Sequence, residues 1–163
     1  MDIRLENPDN LVQKVLDLTS CHPNLIQQAG DILSKQSLAR GNRIITELDI
    51  QTLAQDSMFA SRCLTKLWGA ANAFEQLITL LAPDDGFTEV EMAACLAEHG
   101  LNIEMRALEN ALKALLVYSL LRKQYKRYFL MTDSFKQQLQ LFEDVDTLIA
   151  KRLEDLKLQA VDA

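Results

Sequence analysis

Glycine, proline and histidine are scarce in this sequence, with five, three and two of them among 163 residues. The five glycines are dispersed, so neither a GxxxxGK[ST] loop nor a GxGxxG loop is present. Neither histidine stands at helical or finger spacing from a pair of cysteines or carboxylates, as a metal site requires. We therefore expect a chain that is not an enzyme by itself, with no metal and no cofactor of its own.

Three separated cysteines, Cys21, Cys63 and Cys95, form no CxxC pair, and an odd number cannot close a disulfide framework. Reduced, buried thiols are expected. No apolar run approaches the roughly 18 residues of a membrane span, and the first residues lack the layout of a secretory signal. These absences predict a cytoplasmic protein without a membrane partner. The net charge of −6 disfavours general nucleic-acid binding, so any basic patch must be local.

Apolar residues recur at spacings of three and four, which predicts a mainly α protein. Helix starts are marked by prolines or by capping residues, and the long apolar stretch 59–81 is expected to break near Gly69. Short β-prone runs predict a hairpin from 120–124 and 128–132, and one final helix is expected over 133–160. The predicted helix starts are Asn7-Pro8, Pro23, Thr46 with Asp49, Thr88 with Glu91, and Asn102.

The later elements follow the order helix, helix, helix, hairpin, helix, which is typical of a winged helix, a variant of the helix-turn-helix. The predicted organisation is a small helical bundle over 1–69, a winged-helix domain over 70–140 and a C-terminal helix or linker over 141–163. The apolar stripe of the last helix packs on the winged helix in its first half. Its second half, 148–158, could be the seam of a homo-oligomer or a linker.

One basic cluster stands out in the predicted hairpin, interleaved with two tyrosines. The helix before it offers exposed polar residues that could enter a major groove while the hairpin contacts phosphates. Residues 70–135 nevertheless contain six basic and nine acidic residues, a net charge of −3. DNA contact, a solvated hairpin and a protein-facing surface all stay open. The candidate DNA-binding or partner-binding residues are Arg106, Asn110, Lys113, Arg122, Lys123, Lys126 and Arg127.

Cys21, His22 and Pro23 are consecutive at the start of an apolar-striped helix. A cysteine nucleophile needs a histidine base directed at it, and adjacent residues rarely achieve that geometry. A helix start with proline in its first turn explains the trio without chemistry.

The stretch Thr19-Ser20-Cys21-His22-Pro23, followed by Ile45-Thr46-Glu47-Leu48-Asp49-Ile50, resembles the region after the nucleotide-binding core in AAA+-related ATPases of the STAND type. In that family a Thr-Gly-Gly-His-Pro-like motif opens a helix of the lid subdomain, and a winged helix follows. The resemblance covers about residues 7–140 and implies that His22 and Pro23 sense a bound ATP or ADP. The two glycines of the family motif are Ser20 and Cys21 here.

The resemblance implies a non-catalytic, regulatory C-terminal fragment of a parent ATPase, lid-like over 1–69. Its missing nucleotide-binding core would be one partner, and the winged helix would pass the nucleotide state to a protein or to DNA. One alternative is an independent winged-helix transcription regulator that dimerises through its last helix. A second alternative is a protein-interaction adaptor.

Overall fold

The computed structural model describes residues 3–131 and 134–161, and this part of the chain is mainly helical, as predicted. Two small sheets of two strands each accompany the helices. The predicted break near Gly69 is confirmed, since one helix ends at Leu67 and the next begins at Ala73. The described elements are β1 (Arg4–Leu5), α1 (Pro8–Leu18), α2 (Pro23–Ala39), β2 (Ile44–Ile45), α3 (Glu47–Ala54), α4 (Ser57–Leu67), α5 (Ala73–Leu81), α6 (Glu89–Glu98), α7 (Met105–Val117), β3 (Leu121–Gln124), β4 (Arg127–Leu130), α8 (Ser134–Gln140) and α9 (Val145–Val161).

The parallel strands β1 and β2 pair in the first half of the chain, with Arg4 opposite Ile44. Strand β1 leads into α1 and strand β2 leads into α3, so the pairing places the starts of these two helices side by side. The sequence did not predict these strands. Two residues cannot display the alternating pattern by which a strand is recognised.

Asp49 is a buried carboxylate in the first turn of α3, with 4% of its surface exposed. Its Oδ2 accepts hydrogen bonds from the backbone N–H of Thr46 at 2.8 Å and from the Thr46 hydroxyl at 3.0 Å. Its Oδ1 forms an ion pair with Arg40, the C-cap residue that follows α2. Arg40 first, and then Thr46, lower the pKa of Asp49 to about 2. The charge therefore joins the end of α2 to the start of α3.

The hairpin of β3 and β4 is fixed to the turn between α5 and α6. Phe87 and Tyr128 exchange both backbone hydrogen bonds, at 2.9 and 2.7 Å, and their rings stack with centroids 5.7 Å apart. Gly86 has φ +78°, and a Cβ there would lie 2.5 Å from the Phe129 ring. Only glycine permits both the backbone conformation and this close approach.

Two predicted boundaries in this region are revised. Asn102 does not cap the helix, because the residue before its first turn is Glu104 and α7 begins at Met105. The hairpin turn consists of two residues, Tyr125 and Lys126, whereas the predicted strands left residues 125–127 between them. Tyr125 has a left-handed backbone with φ +55°. The predicted end of the second strand at Thr132 lies outside the described residues.

The prediction of a single final helix is wrong, because residues 141–144 separate α8 from α9. Asp144 opens α9 by accepting a hydrogen bond from the backbone N–H of Thr147 at 3.2 Å. The predicted start at Asp133 lies outside the described residues. After the break, α9 packs along α5.

The apolar stripe of α9 is covered by this chain itself. Leu148 is buried, and Ile149, Leu153 and Leu156 pack against the same core. The stripe, for which the sequence left a dimer seam or a linker open, therefore has an intramolecular partner up to Leu156, whereas Leu158 is exposed.

Helix α8 contacts both halves of the chain. The Phe135 ring meets Trp68 edge to face at 5.9 Å, and Lys136 Nζ donates to the carbonyl of Ala82 at 2.6 Å. Gln138, which is buried, donates through Nε2 to the carbonyl of Leu18 at 3.1 Å. One continuous core runs from Leu11 to Leu148. The predicted units 1–69 and 70–140 thus share buried surface around α8.

Asp49→Asn tests the contribution of the charge that joins α2 to α3. We expect the variant to unfold with a free energy about 1 to 2 kcal/mol lower at pH 7, because a paired carboxylate with a depressed pKa stabilises the folded state by an amount of this order. Urea denaturation of both proteins measures the difference.

The pH dependence of that difference has a defined sign. Since the folded pKa of about 2 lies below the ordinary value, the stabilisation is present above about pH 4 and is lost as the pH falls toward 2. Asp31→Asn is the matched control, because Asp31 is exposed on α2. A difference that stays constant down to pH 2, or an equal effect of the control, would contradict the assignment.

Candidate functional site

Residues 19–23 form the turn between α1 and α2 and include Cys21, His22 and Pro23. The turn begins with the hydrogen bonds that close the C-terminal end of α1. The backbone N–H of Cys21 donates to the carbonyl of Leu16 at 2.9 Å, and that of Ser20 donates to Asp17 at 3.3 Å. These two bonds are those of a Schellman motif, whose left-handed residue is usually glycine. Helix α6 ends in the same way with Gly100, whereas α1 uses Ser20.

Cys21 is a second left-handed residue directly after Ser20. Their φ angles are 57° and 49°, so two successive side chains occupy a conformation that favours glycine. Ser20 is buried and Cys21 is exposed. The positions at which the resembled family carries two glycines therefore have, in this chain, the backbone conformation for which glycine is best suited.

His22 occupies the N-cap position of α2, and Pro23 is its first residue. The His22 side chain makes no capping hydrogen bond, and the first turn of α2 contains no acidic residue. The Nδ1 atom of His22 is buried and has no hydrogen-bond partner in the described part of the chain. The start of α2 thus combines helix N–H groups that no side chain caps with a buried imidazole nitrogen that has no hydrogen-bond partner among the described residues. Such a helix start favours an anion.

Arg106, Asn110 and Lys113 share one exposed face of α7, since they stand four and three residues apart on the helix. Neither Arg106 nor Lys113 makes an ion pair with another described residue, and Val117 continues the same face with 79% of its surface exposed. The face combines two cations, an amide and an apolar side chain. It can contact either a nucleic acid or a protein.

The basic cluster of the hairpin is partly neutralised by two acids of α6. Lys123 Nζ lies 3.7 Å from Glu89 and donates to the Tyr128 hydroxyl at 2.7 Å, and this bond raises the pKa of Lys123. Tyr128 in turn donates to Glu89 at 2.7 Å.

Arg127 is held in a similar way. It contacts Glu91 at 3.4 Å and donates to the carbonyl of Gly86 at 2.5 Å. Arg122 lies over the Phe129 ring at 4.8 Å and bonds Gln124, whereas Lys126 is exposed without a partner among the residues described. The sequence predicted four positive charges for this surface but did not reveal the acids that face two of them. Only the pairing of the hairpin with α6 brings them together.

The structure does not join the two sets of predicted site residues directly. In the described ranges, no hydrogen bond or ion pair connects His22 or Pro23 with α7 or the hairpin. Gln138 of α8 reaches the carbonyl of Leu18, immediately before the turn of residues 19–23. The connection between the turn and the second half of the chain therefore passes through α8.

Comparison of the chain with protein-family models, with curated proteins and with solved structures gave no match. Within the described residues, no group of three or more histidine, cysteine or carboxylate side chains could hold a metal ion. No helix in that part of the chain has the length and apolar content needed to cross a membrane. Burial raises the pKa of the Cys63 thiol to about 12, so this cysteine stays protonated and unreactive at neutral pH.

Cys21→Gly tests the left-handed conformation of the turn. We expect the variant to be more stable by about 0.5 to 1 kcal/mol, because the relief of Cβ strain exceeds the extra entropy that glycine has in the unfolded chain. Cys21→Ala is the control, since it also removes the thiol but keeps the Cβ atom. Chemical denaturation of the three proteins gives the free energies. Equal stabilities of the two variants would show that the strain is absent.

Proposed function

We propose that this chain is the lid and winged-helix part of an AAA+/STAND-like ATPase, without catalytic activity of its own. It would couple the nucleotide state of a separate core to a protein or DNA partner. The observation that carries this proposal is the backbone of Ser20 and Cys21. Both residues are left-handed at the positions where the resembled motif has glycines, directly before His22 and Pro23.

The winged-helix assignment rests on the order and contacts of the later elements. Helices α5, α6 and α7 are followed by the antiparallel hairpin of β3 and β4 and then by α8. Helix α7 packs on α5 and α6 through Leu108, Leu112 and Leu115 and leaves its opposite face exposed. In a helix-turn-helix protein, this is the arrangement of the helix that contacts the partner.

The proposed mechanism is a movement of the lid and the winged helix together, as one rigid pair, between two states when the nucleotide changes. The start of α2 would face the phosphates or the adenine through His22 and Pro23, because its uncapped N–H groups favour an anion. A shift of this turn reaches α8 through the bond between Gln138 and Leu18. Since α8 directly follows the hairpin in the chain, the hairpin would move together with α8.

The surface formed by the hairpin and the exposed face of α7 favours a protein partner over DNA. Glu89 and Glu91 neutralise Lys123 and Arg127, so two of the four hairpin cations do not face solvent as free charges. Tyr125, at the tip of the hairpin, is 93% exposed, and Val90 and Val117 are also exposed. Mixed charge with exposed apolar side chains is characteristic of a protein interface, whereas binding to a phosphate backbone depends on unpaired cations.

Titration of the whole chain with ADP, followed by ¹H–¹⁵N spectra, tests the nucleotide-facing turn. We expect weak binding, with a dissociation constant on the order of 1 mM, because most of the affinity would come from the core. The amide signals of residues 19–25 should move. His22→Ala should abolish these shifts, and Cys21→Ala should preserve them. Binding in the micromolar range or tighter, or the absence of shifts in this turn, would contradict the proposal.

A winged-helix DNA-binding regulator is the second candidate, favoured by the unpaired cations Arg106, Lys113 and Lys126. If this function holds, the triple change of these residues to Gln should abolish duplex binding at low salt, since each lost phosphate contact weakens binding and reduces its salt dependence. Fluorescence anisotropy with a labelled duplex measures the affinity.

The matched control for this experiment is the triple change of Lys35, Arg62 and Lys66 to Gln, which removes three exposed cations from the first half of the chain. A duplex that binds neither the wild type nor the control excludes DNA as the partner. Equal losses in the two triple variants would show attraction by net charge alone.

A further inference from the structure

An apolar cavity opens between α1 and α2, above the strand β2 and the start of α3. It has a volume of about 200 Å³. Part of its lining is buried in the core, and part consists of side chains of the two helices that solvent can reach. The lining includes Val12, Leu16, Ile26, Gly30, Ser34 and Ile45.

The described lining of this cavity is almost wholly aliphatic. Ser34 carries its only polar side chain, and no charged side chain belongs to it. A water molecule held in a cavity needs two to four polar partners, which this lining does not provide. An apolar molecule in its place would remove aliphatic surface from contact with solvent, which is favourable.

Gly30 keeps the mouth of the cavity open. It lies in the interior of α2, where glycine destabilises a helix relative to most other residues. Its φ is not positive, and a Cβ atom at this position would have no neighbour within 4 Å. In contrast, a Cβ at Gly69 or Gly86 would lie 2.5 Å from another atom. Neither backbone conformation nor close packing therefore requires glycine at position 30.

We propose that this cavity binds a small, uncharged apolar molecule of about the size of one aromatic ring. An apolar cavity of about 150 Å³ is sufficient for benzene, whereas drug-sized ligands occupy about 300 Å³ or more. A partner helix would insert several anchor side chains spaced over two turns, which is more than 200 Å³ can hold. The site does not depend on the function proposed above, because it uses no residue of the turn 19–23.

Titration of the whole chain with toluene, followed by ¹H–¹³C methyl spectra, tests the site. We expect saturable shifts of the methyl signals of Val12, Leu16, Ile26 and Ile45, with a dissociation constant on the order of 1 mM. Nuclear Overhauser effects between toluene and these methyl groups should place the ring in the cavity. Benzylammonium, which has the same ring and a positive charge, should bind at least tenfold more weakly, because the lining contains no acid to pair with it.

Two leucine variants separate the cavity from general adsorption on apolar surface. Gly30→Leu should weaken toluene binding at least tenfold, because its side chain would occupy the mouth of the cavity. Asp31→Leu is the matched control, since it adds the same side chain at the next exposed position of α2, outside the lining. It should leave the affinity unchanged. Both variants should stay folded in thermal unfolding, because leucine favours a helix.

Three results would overturn the proposal. These are shifts that rise without saturation, equal effects of the two leucine variants, and benzylammonium binding as tight as that of toluene. Sedimentation of the concentrated protein adds a fourth, since a dimer that Gly30→Leu abolishes would make a second copy the occupant. The nucleotide-facing turn fails or succeeds separately, because it is tested with ADP at the amides of residues 19–25 and with His22→Ala.

Discussion

The packing of α8 between the two halves of the chain determines most of what the molecule can do. Phe135 meets Trp68 at the end of α4, and Gln138 bonds the carbonyl that ends α1. The other contacts between the halves lie around Trp68, which bonds Thr79 of α5 and accepts a hydrogen bond from Gln76. With them, the turn that precedes α2 and the hairpin that precedes α8 belong to one mechanical unit. Helix α8 is therefore one route by which the two ends can be coupled.

Local sequence signals predicted helix starts correctly, because interactions between neighbouring residues determine where a helix begins. Pro8 and Pro23 lie at first helical positions, and Thr88 with Glu91 forms a capping box, as expected. The break at residues 141–144 was missed because the apolar spacing continues through it. The break allows α9 to turn back and pack along α5, so tertiary packing and not the local sequence accounts for it.

The residues of the candidate site divide in the same way, into those that the local sequence indicates and those whose surroundings only the tertiary structure reveals. His22 and Pro23 could be selected from the sequence, because a helix start is a local feature. The charge state of the hairpin could not, since Glu89 lies 34 residues before Lys123 and their contact depends on the docking of the hairpin. The cluster in the sequence overstated the positive charge of that surface.

The only tryptophan of the chain lies where helices from both halves meet. Its indole Nε1 donates to Thr79 at 3.1 Å, the Phe135 ring touches one edge, and the Arg152 guanidinium lies 5.6 Å from the ring centre. The emission of a single indole depends on the polarity and the quenching groups around it. The molecule therefore contains an intrinsic optical probe at its central junction, which would report a loosening of the contacts between the two halves without any added label.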